Sequence, residues 1–96
     1  MNSLAANYKN ISASAQISDH ACIFRGFFIN SCAATATIKV WDQTSAAVPI
    51  LLNTITMAAI ATPATGRVYF PQGIICKNGL YVTIAVAAMD VTILWD

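Results

Sequence analysis

Lys77-Asn78-Gly79-Leu80-Tyr81-Val82-Thr83-Ile84-Ala85-Val86, followed closely by Val91-Thr92-Ile93-Leu94-Trp95, decides the fold. Leu80, Val82, Ile84 and Val86 fall on one side of an extended chain, with Tyr81, Thr83 and Ala85 on the other. Val91, Ile93 and Trp95 alternate with Thr92 and Leu94 in the same way. A period of two belongs to a strand with one buried face. Asn and Gly both accept the positive φ that a tight two-residue turn demands. Asn78-Gly79 therefore predicts a β-hairpin between Ile74-Ile75-Cys76 and the Leu80 run. Ala87-Ala88-Met89-Asp90 reads as the next turn.

The same signal extends upstream. Ala21–Asn30 is rich in strand formers, and Gly26 inside it marks a bulge or a close backbone approach. Ala34, Ala36, Ile38 and Val40 alternate with Thr35, Thr37, Lys39 and Trp41. Asp42-Gln43-Thr44-Ser45 is a turn cluster, with Asp42 opening it through an Asx bond. Val48–Met57 is a strand candidate with Pro49 at its start or on a sheet edge. Thr62-Pro63-Ala64-Thr65-Gly66 reads as a loop, Arg67-Val68-Tyr69-Phe70 as a short strand, and Pro71-Gln72-Gly73 as a turn. No stretch carries a helical period with capping residues. The expectation is all-β: a single-domain antiparallel β-sandwich or jelly-roll-like barrel of about seven short strands. Residues 19–96 form that domain. Residues 1–18, rich in Ser, Ala and Asn, form an extended N-terminal arm with one strand around Ile11–Ile17.

Composition limits the function. The 96 residues are 57% hydrophobic and 9% charged, against about 25% charged in ordinary soluble domains. The surface is then built from Thr, Ser, Asn, Gln and Ala, and a nearly neutral surface favours association with other protein. A net charge of +1 supplies no basic face for phosphates, so nucleic acid is not an expected partner. The most apolar uncharged stretch, Ala46–Ala61, contains Pro49, Asn53, Thr54 and Thr56 and falls short of the ~20 residues of a spanning helix. No membrane span is expected, and Met1–Lys9 does not read as a secretion signal. Cys22, Cys32 and Cys76 have no CxxC spacing and are expected as thiols, with at most one internal pair.

Chemistry is sparse. The chain has no Glu, one His and four Asp. Asp19-His20-Ala21-Cys22 is the densest polar cluster. An extended backbone would turn His20 and Cys22 to one face and Asp19 to the other, and no second His completes a metal site. Neither a metal, a cofactor nor a catalytic group is expected, and the chain is read as a non-enzyme. Asn10-Ile11-Ser12 matches a glycosylation sequon. Trp41, Tyr69, Phe70, Tyr81 and Trp95 fill or rim a core, or form a carbohydrate-binding platform. Arg25, Lys39, Arg67 and Lys77 are scattered and read as lone surface or interface contacts.

Gly66-Arg67-Val68-Tyr69-Phe70-Pro71-Gln72-Gly73-Ile74, Lys77–Ile84 and Asp90-Val91-Thr92-Ile93 together cover about thirty residues. This pattern resembles the C-terminal half of small β-sandwich virion proteins of tailed bacteriophages. Ala85–Met89 departs from it, where that family would carry a Gly-rich polar turn. The resemblance implies a structural protein of a phage particle, best read as a capsid cement (decoration) protein. Such a protein sits on the virion surface, bridges major capsid subunits and associates with copies of itself, often as a trimer. It would be made in the host bacterial cytoplasm. A tail, neck or fibre component, or a carbohydrate-binding β-sandwich module, is the alternative. The expected contacts lie in residues 1–18 and along the edge strands.

Overall fold

The period-two runs become strands in the computed structural model of the chain, which describes residues 7–56 and 67–96. In chain order they are β1 (Asn7–Ile11), β2 (Ala15–Ser18), β3 (Cys22–Cys32), β4 (Thr37–Trp41), β5 (Ile50–Thr56), β6 (Arg67–Cys76), β7 (Leu80–Ala85) and β8 (Met89–Trp95). Among the described residues there is no helix, and none is long and apolar enough to cross a membrane. One sheet has the order β1-β8-β3-β6 and the other β2-β7-β4-β5, and every ladder is antiparallel. Met57 and Thr62–Gly66, read above as a strand end and a loop, lie outside the described residues.

Alternation places the core between the two sheets. Phe24, Phe27 and Ile29 of β3 and Val91 and Ile93 of β8 point inward from one side, at most 1% exposed. Ile38 and Val40 of β4 and Leu80 and Val82 of β7 meet them from the other. Each such side chain stabilises the fold by roughly 1.5–3 kcal/mol relative to exposure. The alternation fails at the strand ends: Ala34 and Val86, on the apolar side of their sequence runs, are both exposed. The molecule is 18 Å thick on its short axis, which two packed sheets account for.

Several local expectations change. Eight strands are described where about seven were expected. The single strand expected around Ile11–Ile17 is divided. Ile11 pairs with Val91 in one sheet and Ala15 with Val82 in the other, and Ser12-Ala13-Ser14 carries the chain across. Pro71-Gln72-Gly73 is no turn but part of a long bulge in β6. Phe24 pairs with Ile74 and Gly26 with Tyr69, so Arg25 faces the four residues between. Pro71 has no N–H to give, which an edge strand tolerates. The turn expected at Ala87–Asp90 is Val86–Ala88, and Met89 and Asp90 already belong to β8.

The Asn78-Gly79 hairpin is the largest correction. β6 and β7 lie in different sheets and do not pair. Cys76 and Leu80 both face the core, each from its own sheet, so the chain must cross the sandwich between them. β4 and β5 are the one consecutive pair of described strands that shares a ladder. Asp42 holds the crossing at residues 77–79. Its carboxylate accepts the N–H groups of Lys77 at 3.2 Å and Asn78 at 3.0 Å, and the Asn78 amide donates to the Asp42 carbonyl. The Asp42 carboxylate, expected to bond its own turn, thus ties down a distant one. Gly79 has φ +155°, and a Cβ there would lie 2.8 Å from the Ser18 carbonyl oxygen.

Candidate functional site

The polar cluster at residues 19–22 divides at the start of β3. Asp19 and His20 lie in an exposed bend, with His20 Nδ1 2.8 Å from Asp19 Oδ1. That hydrogen bond holds the Asp19 carboxyl below its usual range. Cys22 opens the strand and turns inward. The shared face expected of His20 and Cys22 fails because the backbone is not yet extended at His20. Among the described residues no three His, Cys, Asp or Glu side chains gather in a metal-binding group.

The five aromatics are distributed over both sheets. Trp41 and Tyr81 are ladder partners on the outer face of β4 and β7. The indole N–H of Trp41 donates to Thr83 Oγ1 at 2.9 Å, and Lys39 Nζ lies 4.4 Å from the ring centroid. Tyr69 belongs to the other sheet and is exposed. Phe70 and Trp95 pack against the core, Phe70 with its ring 5.9 Å from that of Phe24.

Two of the basic residues expected as lone contacts are instead engaged within the chain. Lys39 lies over Trp41. Arg25 pairs with Asp96 at 2.7 Å and also donates to the Pro71 carbonyl, which fastens the β6 bulge to the end of β8. The Asn10 amide of the sequon donates to Asp90 Oδ1 at 2.6 Å, and Asn30 reaches the same oxygen from β3. Both also reach Thr92 Oγ1, so a polar strip crosses β1, β8 and β3.

Beside that strip the outer face of the same sheet is apolar. The ladder sets Tyr8, Leu94, Gly26 and Tyr69 in one row across four strands. Gly26 contributes no side chain, and an open hollow of about 420 Å³ is lined by Phe28, Leu94 and Tyr69 among others. The glycine is obligatory: φ is +132°, and a Cβ would stand 2.1 Å from the Val68 carbonyl oxygen. The close approach anticipated at this position is therefore what the ladder contains.

The two ends of the sandwich differ in kind. At one end Ser12–Ser14, Ala33–Ala36 and Val86–Ala88 carry no charge. Val86 has φ +75° and is 77% exposed, and Ala87 N–H donates to the Ala85 carbonyl across it, making a γ-turn. Thr35, in the neighbouring loop, has φ +70°. At the other end lie Asp19, Asp42, Lys77 and the Arg25–Asp96 pair.

Sequence reading missed two groupings. Asp42 reaches residues 35 positions away, and Cys22 stands directly opposite Cys76. Neither has a local signal, because each is produced by the strand order. No protein-family model, curated protein or solved structure matches the chain.

Proposed function

We propose that this chain is a jelly roll serving as a non-enzymatic structural protein of a phage virion, a capsid cement protein that bridges major capsid subunits. The observation that supports this most is the strand order, β1-β8-β3-β6 facing β2-β7-β4-β5. Eight strands interleaved between two sheets in this way are the pattern of jelly rolls, an architecture that recurs in viral capsid and lectin domains. Fold alone does not assign function, so the surface has to agree with it. It does so in two respects: charge is sparse, and the described turns at one end, Ser12–Ser14, Ala33–Ala36 and Val86–Ala88, are uncharged, with Val86 exposed. Backbone strain clusters at ligand clamps and switch regions, which favours placing the exposed Val86 at a contact. On this reading the charge-free end and the Gly26 hollow face neighbouring subunits, and stabilisation comes by mass action from binding the assembled shell. A tail, neck or fibre position is the variant of the same reading.

The carbohydrate alternative has one supporting observation, the Trp41–Tyr81 pair. Lys39 lies over the indole face on which a sugar would stack. The test is first the mass of the purified chain by light scattering in detergent-free buffer, then co-sedimentation with capsids and tails of the virus that encodes it. The cement reading expects saturable binding to assembled shells but not to free capsid subunits. Absence of binding to every capsid and tail assembly overturns it, and glycan-array binding lost on Trp41→Ala would install the alternative.

A further inference from the structure

Cys22 opens β3, Cys76 closes β6, and the ladder sets them directly opposite each other. Ile23 exchanges both backbone hydrogen bonds with Asp96 on the β8 side, at 3.0 and 2.8 Å. Backbone groups alternate sides along a strand, so Cys22 turns its own N–H and C=O toward Cys76. Opposed residues of that kind have Cα atoms about 5.5 Å apart, within the span that a disulfide bridges. Both side chains face the core, 9% and 0% exposed, and the Cys76 thiol donates to the Ile74 carbonyl at 3.7 Å.

From this geometry we infer that Cys22 and Cys76 form a dithiol site that closes to an intramolecular cross-strand disulfide when it meets a small-molecule disulfide of the glutathione class. The two sulfurs have distinct roles. Cys22 is the more accessible, next to the exposed bend at Asp19-His20. Burial raises its pKa, while hydrogen bonds from Ser18 and Cys76 oppose the rise. Cys76 lies deeper and is pushed up to about 12, by burial first and then by Cys22 and Asp42. Cys22 is therefore the sulfur that the reagent reaches first.

In the first exchange the Cys22 thiolate bonds to one sulfur of the reagent and expels one thiolate. In the second, Cys76 gives its proton to solvent, attacks the Cys22 sulfur and expels the other thiolate. The protein dithiol loses two electrons and the reagent disulfide becomes two thiols. Cys32 takes no part, because it lies at the far end of β3 opposite Met89. The inference rests on the ladder and is independent of the virion reading.

The experiment treats the folded full-length chain with oxidised glutathione and maps its peptides without reduction, in parallel with Cys32→Ser. The expected result is one linked peptide pair joining Cys22 to Cys76 in both proteins, with no retained glutathione. The thermal midpoint should rise by on the order of 10 °C and return on adding dithiothreitol. Cys76→Ala should stop at a glutathione adduct on Cys22, and Cys22→Ala should leave Cys76 unmodified. A link through Cys32, a stable adduct on the wild-type chain, or three unreacted thiols overturns the inference. If a variant does not fold, the wild-type peptide map decides by itself.

Discussion

The two ends of this sandwich differ in the charge of their turns and in the backbone conformations they hold. At the end of residues 19–21, 42–49 and 77–79, side chains tie the turns: Asp42 to Lys77 and Asn78, Gln43 to the Val48 carbonyl, and Ser18 to the His20 carbonyl. At the end of residues 12–14, 33–36 and 86–88, backbone and hydroxyl groups share that task, with Ala33 N–H on the Ala88 carbonyl, Ala36 N–H on the Ala33 carbonyl and the Thr37 hydroxyl on the Ala85 carbonyl. Ser14 adds a hydroxyl to the backbone of Ile84. The first end is built for stability. The second holds two β-branched residues at positive φ, where L side chains crowd the following carbonyl at a cost of roughly 1–2 kcal/mol each. On the proposed virion reading, the exposed Val86 is where such strain would serve a contact.

That contrast can be broken by measurement. The largest effect belongs to Cys76, at the tied end. Its folded-state pKa is raised to about 12 from an ordinary 9.0, so the neutral thiol is favoured by folding. The contribution is complete below pH 9 and is lost as pH rises toward 12, at about 1.4 kcal/mol per pH unit. Denaturant titrations at successive pH values should show that decline in the wild-type chain and a flatter one in Cys76→Ala. Equal slopes would remove Cys76 as the cause.

Gly79→Ala comes next. A methyl group 2.8 Å from the Ser18 carbonyl oxygen and 3.2 Å from that of Gln43 meets rigid backbone on two sides. We expect a loss of about 3 kcal/mol, read as a fall in the denaturation midpoint. A loss under 1 kcal/mol would mean that the crossing from β6 to β7 is looser than its contacts suggest.

Asp42→Ala should cost about 2 kcal/mol, since two backbone N–H groups lose a carboxylate acceptor but regain water at an exposed site. Asp42→Asn, which keeps one acceptor oxygen, should recover part of that.

The smallest effect is of opposite sign. Val86→Gly places at φ +75° a residue with no Cβ to crowd the turn, and it gives up little burial because Val86 is 77% exposed. It should stabilise by up to about 1 kcal/mol. If it destabilises instead, the charge-free end is not strained and the contrast between the ends collapses.

The buried faces were legible because alternation is local. Ile38 and Val40, Leu80 and Val82, and Val91 and Ile93 each read inward from their own few residues and are inward. Gly26 was legible as a close approach for a similar reason: a lone glycine in a strand run has few other uses. Asn78-Gly79 was misread because the turn chemistry suits both a hairpin and a crossing, and nothing within ten residues says which sheet the next strand joins. The candidate site was hardly legible. The Gly26 hollow, the Cys22–Cys76 pair and the charge-free end each assemble residues from two or more distant strands or loops.

The sequence by itself determined that this chain is all-β, which positions face inward along the strands, and that its surface is almost neutral. Those properties follow from side-chain chemistry and a two-residue repeat, which need no partner strand to be expressed. Tertiary structure alone decided the order of strands in the two sheets. It thereby set Cys22 against Cys76, Asp42 beneath the turn at 77–79, and Val86 at the exposed tip of an uncharged end. Pairing between strands tens of residues apart is chosen by how the whole core closes, and no local stretch of chain carries that information.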